Sequence, residues 1–368
     1  MPRGPPPARA REANMAQNSP HRPTVSIVID SYNHSRYIGE AIDSALAQTY
    51  PGVEVVVADD GSTDSSPEVI RRYGDRIKTV FKANGGQASC LNAGYAHSTG
   101  EIVVFLDCDD ALYPDAVEAI VAAWRPGVAK VQYRLDLVDG NGAFIGARLP
   151  DFAFAHGDIR SLVLRYGFFP FAPTSGSTYS RATLEQLMPI PEQQWRQGTD
   201  YYLSMLAALT GDIVSIDDKS MGRYRIHDRN EGLLNRITAA KLKEHLGWDY
   251  NIVEELNRFG KRRGIALPSD LPMRSPAHLK QRLMLLRDSP EIYPWQGDSR
   301  LGLAFLGIRR VWEWPFYGLK KRFVSSAEFL AISLLPAGAI MRVGTAVNRL
   351  KKFGWREPLR SIGLLKGR

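Results

Sequence analysis

Residues 102–106, Ile-Val-Val-Phe-Leu, form an unbroken apolar run that ends abruptly in Asp107, Cys108, Asp109 and Asp110. A run of this length, with Gly100 ahead of it, fits a strand buried on both faces of a parallel sheet. In an open α/β sheet, ligands lie beyond the carboxyl ends of the strands. Carboxylates crowded at that edge repel one another unless a cation or hydrogen-bond donors hold them. Oxygen ligands at this spacing suit Mg²⁺ or Mn²⁺, ions that commonly share a diphosphate with the protein. The plainer reading is an acidic strand-to-helix turn, with Asp110 capping a helix that starts near Pro114.

The chain before this run alternates strand, turn and helix. Val25–Ile29 reads as a strand, followed by the turn Ser31-Tyr32-Asn33. Residues 36–48 carry Ile38, Ala41, Ile42, Ala45 and Leu46 at helical spacing. Pro51-Gly52 resets the chain before a strand over 53–58. Further elements follow: a helix over 65–73, a short strand over 78–81, and a helix opened by Asn84-Gly85-Gly86-Gln87. Such alternation predicts βα units around a parallel sheet. Later, residues 130–138 and 144–147 read as a hairpin across Asp139-Gly140-Asn141-Gly142. Residues 150–180 read as a loop-rich wall, and 181–188 as a helix. Gly198-Thr199-Asp200 opens a further helix, and 213–216 and 221–226 read as two strands. The chain turns helical from about Ile237.

With 368 residues and 44% hydrophobic side chains, the chain can bury a sizeable core. Its two cysteines, Cys90 and Cys108, are too few for a disulfide framework and lack metal-site spacing. Reduced thiols predict a cytoplasmic setting. Residues 1–22, rich in Pro, Arg and Ala without an apolar stretch, read as a disordered leader rather than a signal peptide. The net charge of +8 is uneven: residues 301–368 hold 13 Lys/Arg against 3 Asp/Glu, whereas the rest of the chain is slightly acidic. A basic tail points to an anionic surface, here a membrane rather than nucleic acid. The aromatic cluster Val311-Trp312-Glu313-Trp314-Pro315-Phe316-Tyr317 is followed by Lys320-Lys321-Arg322 and a mostly apolar stretch, 323–341. Glu328 and Pro336 count against a membrane-spanning helix there. Aromatics beside basic residues suit a helix lying in the interface of an anionic leaflet, and an amphipathic helix packed on the catalytic domain fits equally well; the expected location is cytoplasmic, in the first case peripheral on the inner face of the cytoplasmic membrane.

Taken in order, these pieces resemble the inverting family-2 glycosyltransferases of the GT-A fold. The likeness runs from Thr24 to about Glu231. It is carried by the strand and loop 25–33, by Asp59-Asp60-Gly61-Ser62-Thr63-Asp64, by Asn84-Gly85-Gly86-Gln87 with Leu91-Asn92-Ala93-Gly94, by Asp107-Cys108-Asp109, by Gly198-Thr199-Asp200 and by Tyr224-Arg225-Ile226-His227. Each motif is weak alone; six in this order are specific. The resemblance implies an α/β, GT-A type, mostly parallel sheet flanked by helices. It divides the chain into a leader (1–22), a transferase domain (23–235) and a helical, basic C-terminal region (236–368).

The same resemblance implies the roles. A UDP-sugar donor sits among Ser31, Tyr32, Asn33, Asp60, Gly86, Gln87, Asn92 and Asp107. Asp60 accepts the N–H of the base, for a carboxylate only accepts and so selects uracil or thymine. Asp109, with His227 as a further ligand, binds Mn²⁺ or Mg²⁺, which stabilises charge on the departing diphosphate. Arg225 offsets phosphate charge, and Asp200 takes the proton of the acceptor hydroxyl. One base and one displacement give inversion, unlike the two carboxylates of a retaining glycosidase. The implied acceptor is a sugar or a lipid-linked hydroxyl in surface polysaccharide or glycolipid synthesis. Two positions depart from the family pattern: Asp30 stands where Pro is common, and Thr199 where Glu is common. The rival readings are a catalytically silent adaptor on this fold and a sugar-phosphate nucleotidyltransferase. The latter needs a Gly-rich basic loop where this chain has Asp30-Ser31-Tyr32-Asn33-His34.

Overall fold

The computed structural model describes residues 22–227, 237–336 and 339–340. The expected leader up to residue 21 and the expected boundary at 235/236 lie outside the described residues. In chain order, the first half gives β1 (Val25–Ser31), α1 (Ile38–Leu46), β2 (Val53–Asp59), α2 (Ser66–Arg71), β3 (Lys78–Phe81), α3 (Gln87–Ala96), β4 (Ile102–Asp107), β5 (Ala111–Leu112) and α4 (Ala116–Ala122). Then come β6 (Val128–Val138), β7 (Phe144–Leu149), α5 (Arg160–Tyr166), β8 (Ser177–Ser180), α6 (Arg181–Leu187), α7 (Thr199–Ala207) and β9 (Asp212–Arg225). Four long helices follow: α8 (Ala239–Lys261), α9 (Pro276–Asp288), α10 (Arg300–Glu313) and α11 (Leu319–Leu334).

The strands form one mixed sheet in the order β3-β2-β1-β4-β8-β6-β9-β5, with β7 paired to β6. The run 102–106 takes the expected place, parallel to β1 and wholly buried. Its side chains alternate between two cores, as the pleat requires. Val103 and Phe105 face the layer that holds Leu91, Trp195 and Leu203. Val104 and Leu106 face the layer that holds Ile38, Ile42 and Ile120. Parallel register brings Asp30 opposite Asp107, and Ser31 opposite Asp59. All the acidic strand ends therefore meet at one edge.

The structure corrects three readings. The strands expected at 213–216 and 221–226 are one strand, β9, whose register against β6 jumps from Ile216 to Ser220. The charged residues Asp217, Asp218 and Lys219 bulge there, which made the sequence look like a turn. Within the expected wall of loops, residues 177–180 form β8, antiparallel between β4 and β6. Asp110 caps no helix. The helix that follows starts at Ala116 after Asp115, and the buried Asp110 carboxylate accepts the Arg225 backbone N–H at 2.9 Å.

The C-terminal helices are tied to the sheet through α7. The Tyr201 hydroxyl donates to Asp249 on α8 at 2.8 Å, and Asp249 also bonds His278 on α9 at 2.7 Å. Leu279, Leu283, Leu303, Val311 and Phe329 fill a core between α9, α10 and α11. Gly307 is what lets α10 meet α11 closely, since a Cβ there would overlap the Phe329 ring. Among the described residues, no helix is long and apolar enough to cross a membrane.

Candidate active site

A cavity of about 940 Å³ opens at the acidic sheet edge. Ser31, Tyr32, Asp60, Gly86, Gln87, Asp107, Asp109 and Asp200, each picked from the sequence, line it together. The other four stand apart. His227 and Asn33 line an adjoining cavity of about 620 Å³, and His34 borders both. Asn33 accepts hydrogen bonds from the backbone of Thr63 and Asp64, which fastens the turn after β1 to the turn after β2. Asn92 faces away from both cavities and brackets the backbone of Ile190. The buried Arg225 pairs with Glu40 at 2.5 Å and donates to the Asp109 carbonyl at 3.0 Å. It therefore braces Asp109 from behind.

Asp60 is held by three donors. Lys82 Nζ (2.6 Å) and the Gly85 N–H (2.9 Å) reach one oxygen, and the Gly86 N–H (2.7 Å) reaches the other. A carboxylate has about four acceptor sites, so one more donor can be accommodated. Gly86 has φ of 89° and lies under Arg196, whose side chain a Cβ would strike. Only glycine fits that turn without strain. Asp59 works structurally, accepting from Ser62 N–H, Ser62 Oγ and Ser31 Oγ.

Four carboxylates, Asp30, Asp107, Asp109 and Asp110, crowd the ends of β1 and β4. Burial, reinforced by the charge of Asp109, lifts Asp30 to about 7. Burial and the neighbouring Asp30 carry Asp107 well above the usual carboxylate range, and burial with Asp109 does the same to Asp110. Such a cluster favours a bound cation. His34, Asp109 and His227 can supply one: their ligand atoms all lie within 4.8 Å of one another. His227 Nε2 sits 2.8 Å from Asp109 Oδ2. Tyr37 stacks on the His227 ring with centroids 5.0 Å apart, which fixes its plane. Two imidazoles and a carboxylate with open positions fit a divalent transition ion better than Mg²⁺, which prefers oxygen. The sequence reading missed His34; its place just after the β1 turn was the available signal.

Asp200 lies in the first turn of α7, its carboxylate accepting the Tyr201 N–H at 2.8 Å. Burial raises its pKa, and the nearby Lys130 opposes that rise. Lys130 is fully buried, donates to Ser204 Oγ at 2.6 Å, and is pushed down to about 7 by burial. The departure at Thr199 places no polar group in the cavity. Thr199 is buried and donates to Gln87 Oε1 at 2.9 Å, while Gln87 Nε2 donates to Asp107 at 3.1 Å. A hydrogen-bonded chain thus joins the Asp200 turn to the end of β4. Asp30, the other departure, is a wall residue of the cavity. The far wall is α8, through Lys241, Glu244, His245 and Trp248, with the Trp248 ring against Gly198. Sequence reasoning had no motif for that wall.

This edge of strand-end carboxylates can be set beside known proteins. A model of glycosyl transferase family 2 matches residues 26–187. An uncharacterized glycosyltransferase of Nostoc sp. is 34% identical over 321 residues, 83% of this chain and 94% of that protein. The chain belongs to glycosyltransferase family 2. A shorter likeness reaches the chondroitin synthase of Pasteurella multocida, 48% identical over 102 residues, 27% of this chain and 11% of that one. Among solved structures, S. aureus TarS 1–349 in complex with UDP-GlcNAc shares the fold, with a TM-score of 0.53 and 17% identity over 90% of this chain and 92% of that chain. The fold of this family-2 chain is thus GT-A type, extended by a helical C-terminal region.

Proposed function

We propose that this glycosyltransferase moves a sugar from a UDP-sugar to an acceptor hydroxyl, with inversion and with a divalent ion, Mn²⁺ over Mg²⁺. The observation that carries the reading is the single cavity shared by Asp60, Asp107, Asp109 and Asp200, with His34 on its wall and His227 reaching Asp109 from the adjoining cavity. In this reading Asp60 accepts the uracil N–H at its remaining acceptor site, and Tyr32 flanks the base. Ser31, Gly86 and Gln87 shape the nucleoside pocket, and Asp107, oriented by Gln87, holds the ribose. His34, Asp109 and His227 hold the ion, which neutralises charge on the diphosphate when bound. Arg225 keeps Asp109 in place, while Asn33 and Asn92 act through the loops they fasten. Asp200 accepts the acceptor proton; its buried setting raises its pKa, which makes it a stronger base than an ordinary carboxylate. The catalytic unit comprises 23–235 together with the α8 wall of the region 236–368. The acceptor is a sugar or lipid-linked hydroxyl of surface polysaccharide or glycolipid synthesis, used at the inner face of the cytoplasmic membrane.

The test is a screen of nucleoside diphosphate sugars with Mn²⁺, reading nucleotide release and the anomer of the product. Asp200→Asn should lower kcat by about 10²–10⁴-fold and leave donor affinity nearly unchanged. A product of retained configuration, or full turnover in excess EDTA, would sink the mechanism. Absence of release from every donor would favour the silent adaptor.

A further inference from the structure

Helix α11 has apolar side chains on both of its sides. Its inward side mixes the core residue Phe329 with polar groups: Glu328 bridges to Lys280 on α9 at 3.2 Å, and Ser333 is buried and donates to the Leu330 carbonyl at 2.7 Å. Its outward side carries Leu319, Phe323, Leu330 and Leu334, with Phe323 64% and Leu334 78% exposed. These positions are spaced four, seven and four residues apart, one or two helical turns, so they form one stripe. Helix α10 adds a second outward stripe of Leu301, Phe305 and Trp312, with Phe305 75% exposed. The Trp312 and Phe323 rings meet edge to face, centroids 5.3 Å apart, and join the stripes. Scattered exposed apolar side chains are ordinary, but a continuous face of this kind marks an interaction surface.

The charge of this region of the chain selects the partner. Lys320 and Lys321 are exposed at the start of α11. Beyond the described residues of this helix, the sequence 341–368 adds eight Lys/Arg against a single acid, Glu357. A second copy would bring one basic edge against another, which Coulomb repulsion opposes. An anionic leaflet attracts the basic residues and accepts the rings and leucines at headgroup depth.

We propose that the outward faces of α10 and α11 dock flat on an anionic phospholipid bilayer. This deepens the peripheral-membrane reading given above and does not depend on the identity of the donor sugar. Lysine stems snorkel toward the headgroups while the apolar stripe enters the leaflet. Docking through these helices leaves the α9 side of the layer, and the catalytic unit behind it, in water.

The experiment is flotation of the full chain with vesicles of phosphatidylglycerol and phosphatidylcholine in equal parts, against vesicles of phosphatidylcholine alone. The wild type should float with the anionic vesicles, and less so in high salt. Phe305→Ser combined with Phe323→Ser should lower the partition coefficient by about tenfold or more, since each ring loses its burial in the leaflet. Lys320→Glu combined with Lys321→Glu should weaken flotation on anionic vesicles only. Circular dichroism and nucleotide release in vesicle-free buffer should match the wild type in both double variants, because all four positions are exposed and outside the cavity. Equal flotation of the wild type and the serine variant would overturn the proposal. So would a concentration-dependent dimer abolished by the serine variant, which would assign the face to a second copy. Loss of nucleotide release in the wild type would count against the catalytic reading alone.

Discussion

Replacing Lys130 by Met tests how the proposed base is tuned. Lys130 is fully buried, and its pKa is depressed from 10.5 to about 7, which corresponds to roughly 4–5 kcal/mol of penalty on the charged form. A lysine with a depressed folded pKa binds fewer protons folded than unfolded between about pH 7 and its ordinary value. Stability therefore rises with pH across that window, and the penalty is fully present below it. Methionine is close in size and carries no charge, so the variant should gain stability at pH 6. The lost bond to Ser204 at 2.6 Å subtracts about 1 kcal/mol from that gain. At pH 9.5, where wild-type Lys130 is neutral in the fold, the gain should nearly vanish. Catalysis should move the other way. Lys130 holds down the raised pKa of Asp200, and a nearby opposite charge is worth about one to three pH units. Without it, the acid limb of the kcat profile should shift upward, so that turnover on the acid side of that limb falls. The assay is kcat for nucleotide release with saturating donor and acceptor from pH 5 to 9, beside thermal unfolding at pH 6 and pH 9.5. An unmoved acid limb with an unchanged unfolding temperature would refute the coupling. A stability gain without a kinetic shift would leave Lys130 as a buried cost unconnected to Asp200.

Two further outcomes follow from the same geometry. His34→Ala should weaken Mn²⁺ binding at least about tenfold by calorimetry, as loss of one member of the ligand triad, while UDP affinity without metal stays close to wild type; equal Mn²⁺ affinity would remove His34 from the site. Gly86→Ala forces an L side chain into positive φ and against Arg196, so it should lower stability by about 1–2 kcal/mol and loosen the Asp60 loop; urea titration with and without UDP reads both, and unchanged values in both would show that the turn tolerates a Cβ.

The parallel half of the sheet was legible because its signals are local. The run 102–106 is apolar at every position, which marks a strand buried on both faces, and Ile38, Ala41, Ile42 and Ala45 do form the buried face of α1. The acidic edge was legible for the same reason, since strand ends place their carboxylates by register. What escaped depends on distant partners. Strand β8 reads Ser-Thr-Tyr-Ser, polar in sequence, and it is buried only because neighbouring strands close over it; Ser177 Oγ is satisfied by the carbonyls of Ala172 and Pro173. His34 and His227 are 193 positions apart in numbering, and no spacing rule joins them. Arg225 looks like a phosphate ligand in sequence, yet its pairing with Glu40 turns it inward. Trp248 lies on an ordinary amphipathic helix, and the packing of Ile252, Leu256 and Phe259 against α7, with the Tyr201–Asp249 bond, brings that helix to the cavity.

The two walls of the cavity come from different parts of the chain. Residues 30–109 build the wall of the carboxylates, and α8 builds the wall opposite. The family model ends at residue 187, before that second wall begins. A lineage can therefore redraw α8 through substitutions at Lys241, Glu244, His245 and Trp248 while every strand-end carboxylate stays in register. On the proposed reading, with the donor held at the carboxylate wall, two relatives alike through their first 190 residues would differ at the wall left for the acceptor. A graft of α8 from one such relative onto another should carry acceptor preference with it and leave the choice of nucleotide behind.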